Sequence, residues 1–126
     1  MAVLMSRTSA IVAAYALLAL LVVPVFPHFQ SPNEITRWLL DAAIVDHRTI
    51  EVTPVMRATG VWTEDLATVG GRYYSNKAPG AALIALPAYA LARGGSMRTS
   101  WNAMRLAAAT LPALLLALLL ARAAKR

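Results

Sequence analysis

All six acidic residues of this 126-residue chain, Glu34, Asp41, Asp46, Glu51, Glu64 and Asp65, fall between Phe26 and Ala78. The sequence on either side consists of apolar runs whose only charges are Arg and Lys. A chain that confines its carboxylates to one middle segment, and brackets that segment with apolar stretches, reads as a membrane protein with one extramembrane loop. With 59% hydrophobic and 14% charged residues, it lies far from the soluble norm of about half apolar and a quarter charged. The net charge of +6 does not point to nucleic acid. Inside the loop Arg37, Arg48, Arg57, Arg72 and Lys77 nearly balance the six acids, and the excess sits at the membrane edges. The absence of Cys excludes a disulfide scaffold, a thiolate nucleophile and a Cys-ligated metal.

Three apolar runs differ in what they can do. The first, Ala10 to Phe26, is long enough to cross a bilayer, which takes roughly 17 to 25 residues. A cleaved signal peptide is the alternative, since Arg7 precedes the run, but no Ala-x-Ala-like site follows it. The second, Ala78 to Ala92, reaches about 22 Å at 1.5 Å per residue and falls short of a hydrocarbon core of about 30 Å. It therefore suits the interface. The third starts near Trp101, carries Arg105 one turn in, and is free of charge from Leu106 to Ala121. Trp101 suits the headgroup belt, Arg105 can snorkel to it, and Pro112 predicts a mild kink.

The expected class is an all-α membrane protein in a single domain, 1–126. It has transmembrane helices at about 8–26 and 102–122 and interfacial helices at about 32–46 and 79–93. Residues 1–26 form the first span, 27–100 the extracytoplasmic loop, and 101–126 the second span with a basic tail. Arg7 at one end and Arg122, Lys125 and Arg126 at the other put both termini in the cytoplasm by the positive-inside rule. A crossing by the second run would strand the C-terminal cations outside. The preference for Arg over Lys and the abundance of Ala fit a GC-rich bacterial source, and hence a bacterial inner membrane.

Within the loop, Ser31-Pro32-Asn33-Glu34 has the form of a capping box and predicts a helix start. Ile35, Trp38, Leu39, Ala42 and Ile44 or Val45 then recur at helical spacing, with Arg37 and Asp41 on the polar side of a helix that can lie on a membrane surface. Glu34 has two readings: a third-position carboxylate bonding back to the N-cap amide, or one oriented by a helix N-terminus just outside the bilayer. Thr49 to Thr53 alternates briefly like a short strand, limited by Pro54, and Arg57 to Gly71 reads as loop with a tight turn at Gly70-Gly71. The adjacent Glu64 and Asp65 are a weak cation site that reads more simply as a solvated turn. His28 and His47 share no ligand spacing.

The most specific stretch is Gly71-Arg72-Tyr73-Tyr74-Ser75-Asn76-Lys77-Ala78-Pro79-Gly80, leading directly into the second run. Arg72 and Lys77 supply positive charge beside the bilayer, and Tyr73 and Tyr74 supply hydroxyls and flat faces. Such a set suits a lipid-borne phosphate, and equally an aromatic and basic interfacial belt with no ligand.

The order of these residues resembles the end of the first periplasmic loop in membrane glycosyltransferases of the GT-C superfamily. The likeness is to the bacterial protein-mannosyltransferase and aminoarabinose-transferase-like group. The order of parts is similar too: a first span, an acidic residue at the start of a surface helix (Pro32-Asn33-Glu34, with Arg37), a variable loop, the Tyr-Tyr and Lys element, a second surface helix, and a span ending in basic residues. The resemblance covers the N-terminal portion of such an enzyme. It implies transfer of a sugar, with inversion, from a polyprenyl-phosphate carrier to a hydroxyl on the outer side of the membrane. Glu34 would be general base or ligand of a divalent cation. Lys77, helped by Arg72 and flanked by Tyr73 and Tyr74, would contact the carrier phosphate. Partners would be the bilayer, the lipid-linked sugar and the remaining spans of a longer or split enzyme. The alternative is a small non-enzymatic membrane protein whose outer loop binds a partner or lipid.

Overall fold

The computed structural model describes residues 7–22, 28–29 and 31–123. The chain is mostly helical: α1 Arg7–Val22, α2 Pro32–His47, α3 Thr53–Thr59, α4 Gly80–Ala92, α5 Met97–Arg105 and α6 Leu111–Ala123, with a π-helical turn Leu106–Thr110 joining the last two. Two strands, β1 Leu66–Val69 and β2 Arg72–Ser75, interrupt the helices.

Among the described residues, one helix is long and apolar enough to cross a membrane. It is the continuous Met97–Ala123, whose 27 residues extend about 40 Å. In the α1 region the described apolar stretch, Ala10–Leu21, is shorter, and residues 23–26 of the expected first span lie outside the described residues. α1 packs on α6. Near Pro112, where the sequence predicts a kink, the helix takes a π turn just before the proline, with the Leu111 amide donating to the Leu106 carbonyl. Pro112 has no N–H for a regular bond to residue 108, so the ladder changes register at that point.

α2 starts where the capping box places it. Ser31 is extended, its Oγ accepts from the Glu34 amide, and Pro32 occupies the first turn. It ends at Arg48 in the left-handed region, φ 54°. The expected polar side of α2 is not solvated. Asp41 is fully buried and Arg37 half-buried, because α2 is flanked by α4 and also by α3 and β2. Small residues make the close packing possible: Ala42 and Ala43 on α2 and Ala82 and Ala85 on α4 are all buried. Trp38 anchors the core, with edge contacts to Phe29 and Tyr89 and an Nε1–H bond of 3.1 Å to Ser100 Oγ on α5.

Two sequence expectations need correction. Thr49 to Thr53 is not a strand: Glu51 forms a single bridge with Tyr74, and Thr53 and Pro54 already open α3, where proline is tolerated at a helix start. The stretch from Arg57 to Gly71 is not all loop. β1 pairs antiparallel with β2 in the register Leu66 to Ser75 and Val69 to Arg72. The turn is Gly70-Gly71 with φ 57° and 75°, the positive values that a two-residue type I′ hairpin requires. Hydrogen bonds from the Val52 amide to the Tyr73 carbonyl and from the Tyr73 amide to Thr53 Oγ1 dock the hairpin on the start of α3.

The buried carboxyl of Asp41 makes stability depend on pH. Neither of its oxygens has a hydrogen-bond partner among the described residues, and burial pushes its pKa up to about 7. The folded form then binds a proton that the unfolded chain releases near pH 4, so this contribution is complete below about pH 4 and is lost as pH rises to about 7. The shift from 3.8 to about 7 amounts to at most about 4 kcal/mol. Asp41→Asn is expected to flatten the pH dependence of thermal unfolding between pH 4 and 7, and to raise stability at pH 8 by about 1–2 kcal/mol. An unchanged slope would contradict this assignment.

Candidate functional site

α2, α4 and the long helix converge on a slot of about 130 Å³. Glu34 and Arg37 enter from the first turns of α2, Ala81 and Ala85 from α4, and Trp101, Met104, Arg105, Ala108 and Ala109 from the long helix and its π turn. Capping fixes Glu34: the Ser31 N-cap and Pro32 set the helix entry, which puts residues 34 and 37 one turn apart on the same face. Opposite, Arg105 Nη2 lies 3.3 and 3.4 Å from the two Glu34 oxygens. The Arg105 guanidinium sits over the Trp101 ring, 4.6 Å from its centroid, and the side chain is only 14% exposed. Arg105 therefore turns inward to the slot. The Arg37 Nε is buried and has no hydrogen-bond partner among the described residues.

Two guanidiniums and one carboxylate leave the slot with a net positive charge between apolar walls. Its volume equals about four waters at roughly 30 Å³ each, the scale of a phosphate group and not of a whole glycolipid. An anion held there has the Arg37 and Arg105 guanidiniums beside it and alanine and methionine along its path toward the apolar C-terminal part of the long helix. A divalent cation does not fit. Glu34 is a lone carboxylate beside two arginines, and among the described residues no group of three or more His, Asp or Glu side chains is placed to hold a metal.

The other site residues expected from the sequence are used elsewhere. Lys77 Nζ pairs with Asp65 at 2.7 Å, and Asn76 donates to the same carboxylate at 2.8 Å. Lys77 first, then Asn76, holds the Asp65 carboxyl below its usual range. The Asp65 carbonyl accepts from the buried Thr36 hydroxyl, which ties this ion pair to α2 two residues beyond Glu34. Asp65 is thus the partner of Lys77, not half of a cation site with Glu64. Arg72, at the hairpin turn, reaches Glu51 at 3.8 Å and is mostly exposed. Tyr73 packs against the core, and Tyr74 is half-buried opposite Ala67 and Glu51. None of these four lines the slot. His28 and His47 are both exposed.

No family model, curated protein or solved structure matches this chain. The site therefore rests on its own geometry.

The sequence reading named Arg37 only as a neighbour of Glu34 and did not bring Arg105 to the same slot. A signal for each was present. Arg105 is a charge at the start of an otherwise apolar run long enough to span a bilayer, a setting in which charge is costly and commonly functional. Arg37 lies one helical turn from Glu34. A second polar cluster sits at the far end of α2, where the Tyr89 hydroxyl donates to Asp46 and Arg93 pairs with Asp46 at 3.7 Å. Burial, and next the Asp46 hydrogen bond, raise the Tyr89 phenol above its ordinary pKa.

Proposed function

We propose that this chain is the carrier-binding, N-terminal part of a GT-C-type membrane glycosyltransferase, working with further spans of the same or a partner chain. The observation that carries the reading is the convergence of Glu34, Arg37 and Arg105 in an apolar-walled slot on the long helix, whose length and apolar composition suit a bilayer crossing. The phosphate of a polyprenyl-linked sugar sits against Arg37 and Arg105, and its chain leaves along Ala108 and Ala109. The acceptor oxygen attacks the anomeric carbon from the side opposite the phosphate, and Glu34 takes the hydroxyl proton. The bond from carbon to the phosphate oxygen breaks, the phosphate keeps the electron pair, and the two guanidiniums meet its charge. Arg37 and Arg105 take the carrier-contact role that the sequence pointed to in Lys77 and Arg72, because those two side chains are engaged by Asp65 and Glu51.

The same reading orients the chain. α1 and the long helix cross a bacterial inner membrane with both termini cytoplasmic, and residues 27–100 lie outside. α4, about 20 Å long, is too short to span and rests in the outer interface. Its exposed Leu83, Ile84 and Leu91 face lipid while Ala82, Ala85 and Tyr89 pack inward. The test is lipid analysis of the affinity-purified chain by mass spectrometry. A polyprenyl phosphate is expected to copurify with the wild type and to fall at least tenfold in Arg105→Ala. Equal recovery from both, or none from either, would count against the site and favour a non-enzymatic membrane protein.

A further inference from the structure

At the opposite end of α2 from the slot, α2, α3 and α4 surround a second cavity of about 300 Å³, completed by the start of the long helix. It equals about ten waters at roughly 30 Å³ each, room for one pyranose ring with its hydroxyls. Its polar side is made by Asp46 and His47 of α2 and by Arg93, which caps the end of α4. Its apolar side is made by Val55 and Ala58 of α3 and by Met97, the first residue of the long helix.

The polar side has hydrogen-bonding capacity left over. The Tyr89 hydroxyl donates to Asp46 Oδ2 at 2.5 Å and fixes the carboxylate, leaving Oδ1 as the oxygen nearer Arg93. Arg93 Nη1 stands 3.7 Å from that oxygen, close enough for an ion pair and too far for a hydrogen bond. A carboxylate acceptor and a guanidinium donor thus border one cavity side by side without being joined. Both are partly exposed, Asp46 at 35% and Arg93 at 55%. Their charges offset each other. An anion placed between them meets Asp46, and a cation meets Arg93. A divalent cation would also find only one carboxylate. The group that suits both is neutral and both donates and accepts, which a hydroxyl does. Two neighbouring hydroxyls on a ring can give a proton to Asp46 and take one from Arg93, each in a charge-assisted bond. The C–H face of the same ring then lies toward Val55, Ala58 and Met97.

We propose that this cavity binds a pyranoside, held by a vicinal pair of ring hydroxyls between Asp46 and Arg93, with His47 as a further polar contact. The site is separate from the slot: from Glu34 to Asp46 the axis of α2 rises about 18 Å, more than one sugar ring reaches. It does not rest on the lipid-phosphate reading. It gives the chain a hold on carbohydrate away from Glu34 and Arg105. Tyr89 acts on Asp46 by positioning, and it stays a donor because burial, and next the bond to Asp46, raise its pKa.

The test is saturation-transfer difference NMR on the full chain in phosphatidylcholine nanodiscs, with empty nanodiscs as the blank. The probes are the methyl pyranosides of glucose, galactose and mannose. Saturable transfer to at least one of them is expected. Asp46→Asn, whose amide oxygen can still accept from Tyr89, is expected to bind that probe about tenfold more weakly, the scale of one hydrogen bond to a charged group. Arg93→Ala is expected to weaken binding by about fivefold or more. Arg93 is half-exposed and outside the core, so this variant serves where Asp46→Asn does not fold. Arg57→Ala, an exposed arginine of α3 that does not line the cavity, is expected to bind as the wild type does.

No saturable transfer to any of the three probes would overturn the site. Equal affinity in the wild type, Asp46→Asn and Arg93→Ala would overturn it too, as would a matching loss in Arg57→Ala. Glycine carries an ammonium and a carboxylate for the same two charges and is expected not to bind. Affinity for glycine equal to that for the pyranosides would overturn the assignment to ring hydroxyls. None of these results bears on phosphate binding in the slot, so the two readings fail separately.

Discussion

Trp38→Ala is expected to lower the stability of the unit formed by α2, α4 and α5 by about 3–5 kcal/mol, the range for removing a buried tryptophan. The side chain is 4% exposed and joins four parts of the chain. It stands on α2, meets Tyr89 of α4 edge-on with centroids 6.1 Å apart, meets Phe29 at 5.8 Å, and donates to Ser100 of α5. The neighbours cannot collapse onto the gap easily, because the surrounding contacts of Ala42, Ala43 and Ala85 are already close. Ser100 also loses its donor. Against a total stability of about 5–15 kcal/mol for a typical domain, this is a large fraction. Thermal unfolding in detergent, read by near-ultraviolet circular dichroism, checks it. Trp38→Phe keeps most of the volume and loses the hydrogen bond, for an expected cost of about 1–2 kcal/mol. A loss under 1 kcal/mol in the alanine variant would mean that α2 is not held on α4 and α5 through this ring.

What could be read from the sequence was whatever has a local signal. The start of α2 follows from four consecutive residues, Ser31 to Glu34, each with a capping role, and the structure puts the helix there. The long helix follows from the uncharged run after Arg105, which is too long for most other uses. The hairpin had only part of one, since the Gly70-Gly71 turn was legible and its strands were not. Its strands are four residues each, Val69 and Arg72 flank two glycines, and the alternation is too short to separate from loop. Asp41 was placed on a polar face because its charge is polar. α2 has no broad solvated side, since α4 covers one flank and α3 with β2 another, so its apolar periodicity reported only part of its burial. Arg105 and Glu34 lie 71 residues apart. Their meeting depends on the α4 and α5 turn at Gly94 and Gly95 and on the tilt of three helices, none of which periodicity encodes. Lys77 stood in the most distinctive stretch of sequence, yet its immediate neighbour Asn76 and the distant Asp65 take it into a structural ion pair.

The central claim concerns what Glu34 does, and the second large effect is expected there. A positioned carboxylate base contributes about 10²–10⁴ in rate, and an amide of the same shape cannot accept the proton. Glu34→Gln keeps the helix cap, because the Ser31 Oγ accepts from the backbone amide of residue 34 and not from its side chain. The fold is therefore expected to survive the change. The direct measurement follows conversion of polyprenyl-phosphate-linked sugar to free polyprenyl phosphate in membranes containing the chain and the spans it works with, for wild type and Glu34→Gln at matched protein levels. The expected result is turnover reduced by 10²-fold or more in Glu34→Gln, with the variant still retaining the carrier lipid. Undiminished turnover in Glu34→Gln would contradict the role given to this carboxylate, and with it the reading of the slot as a transferase site.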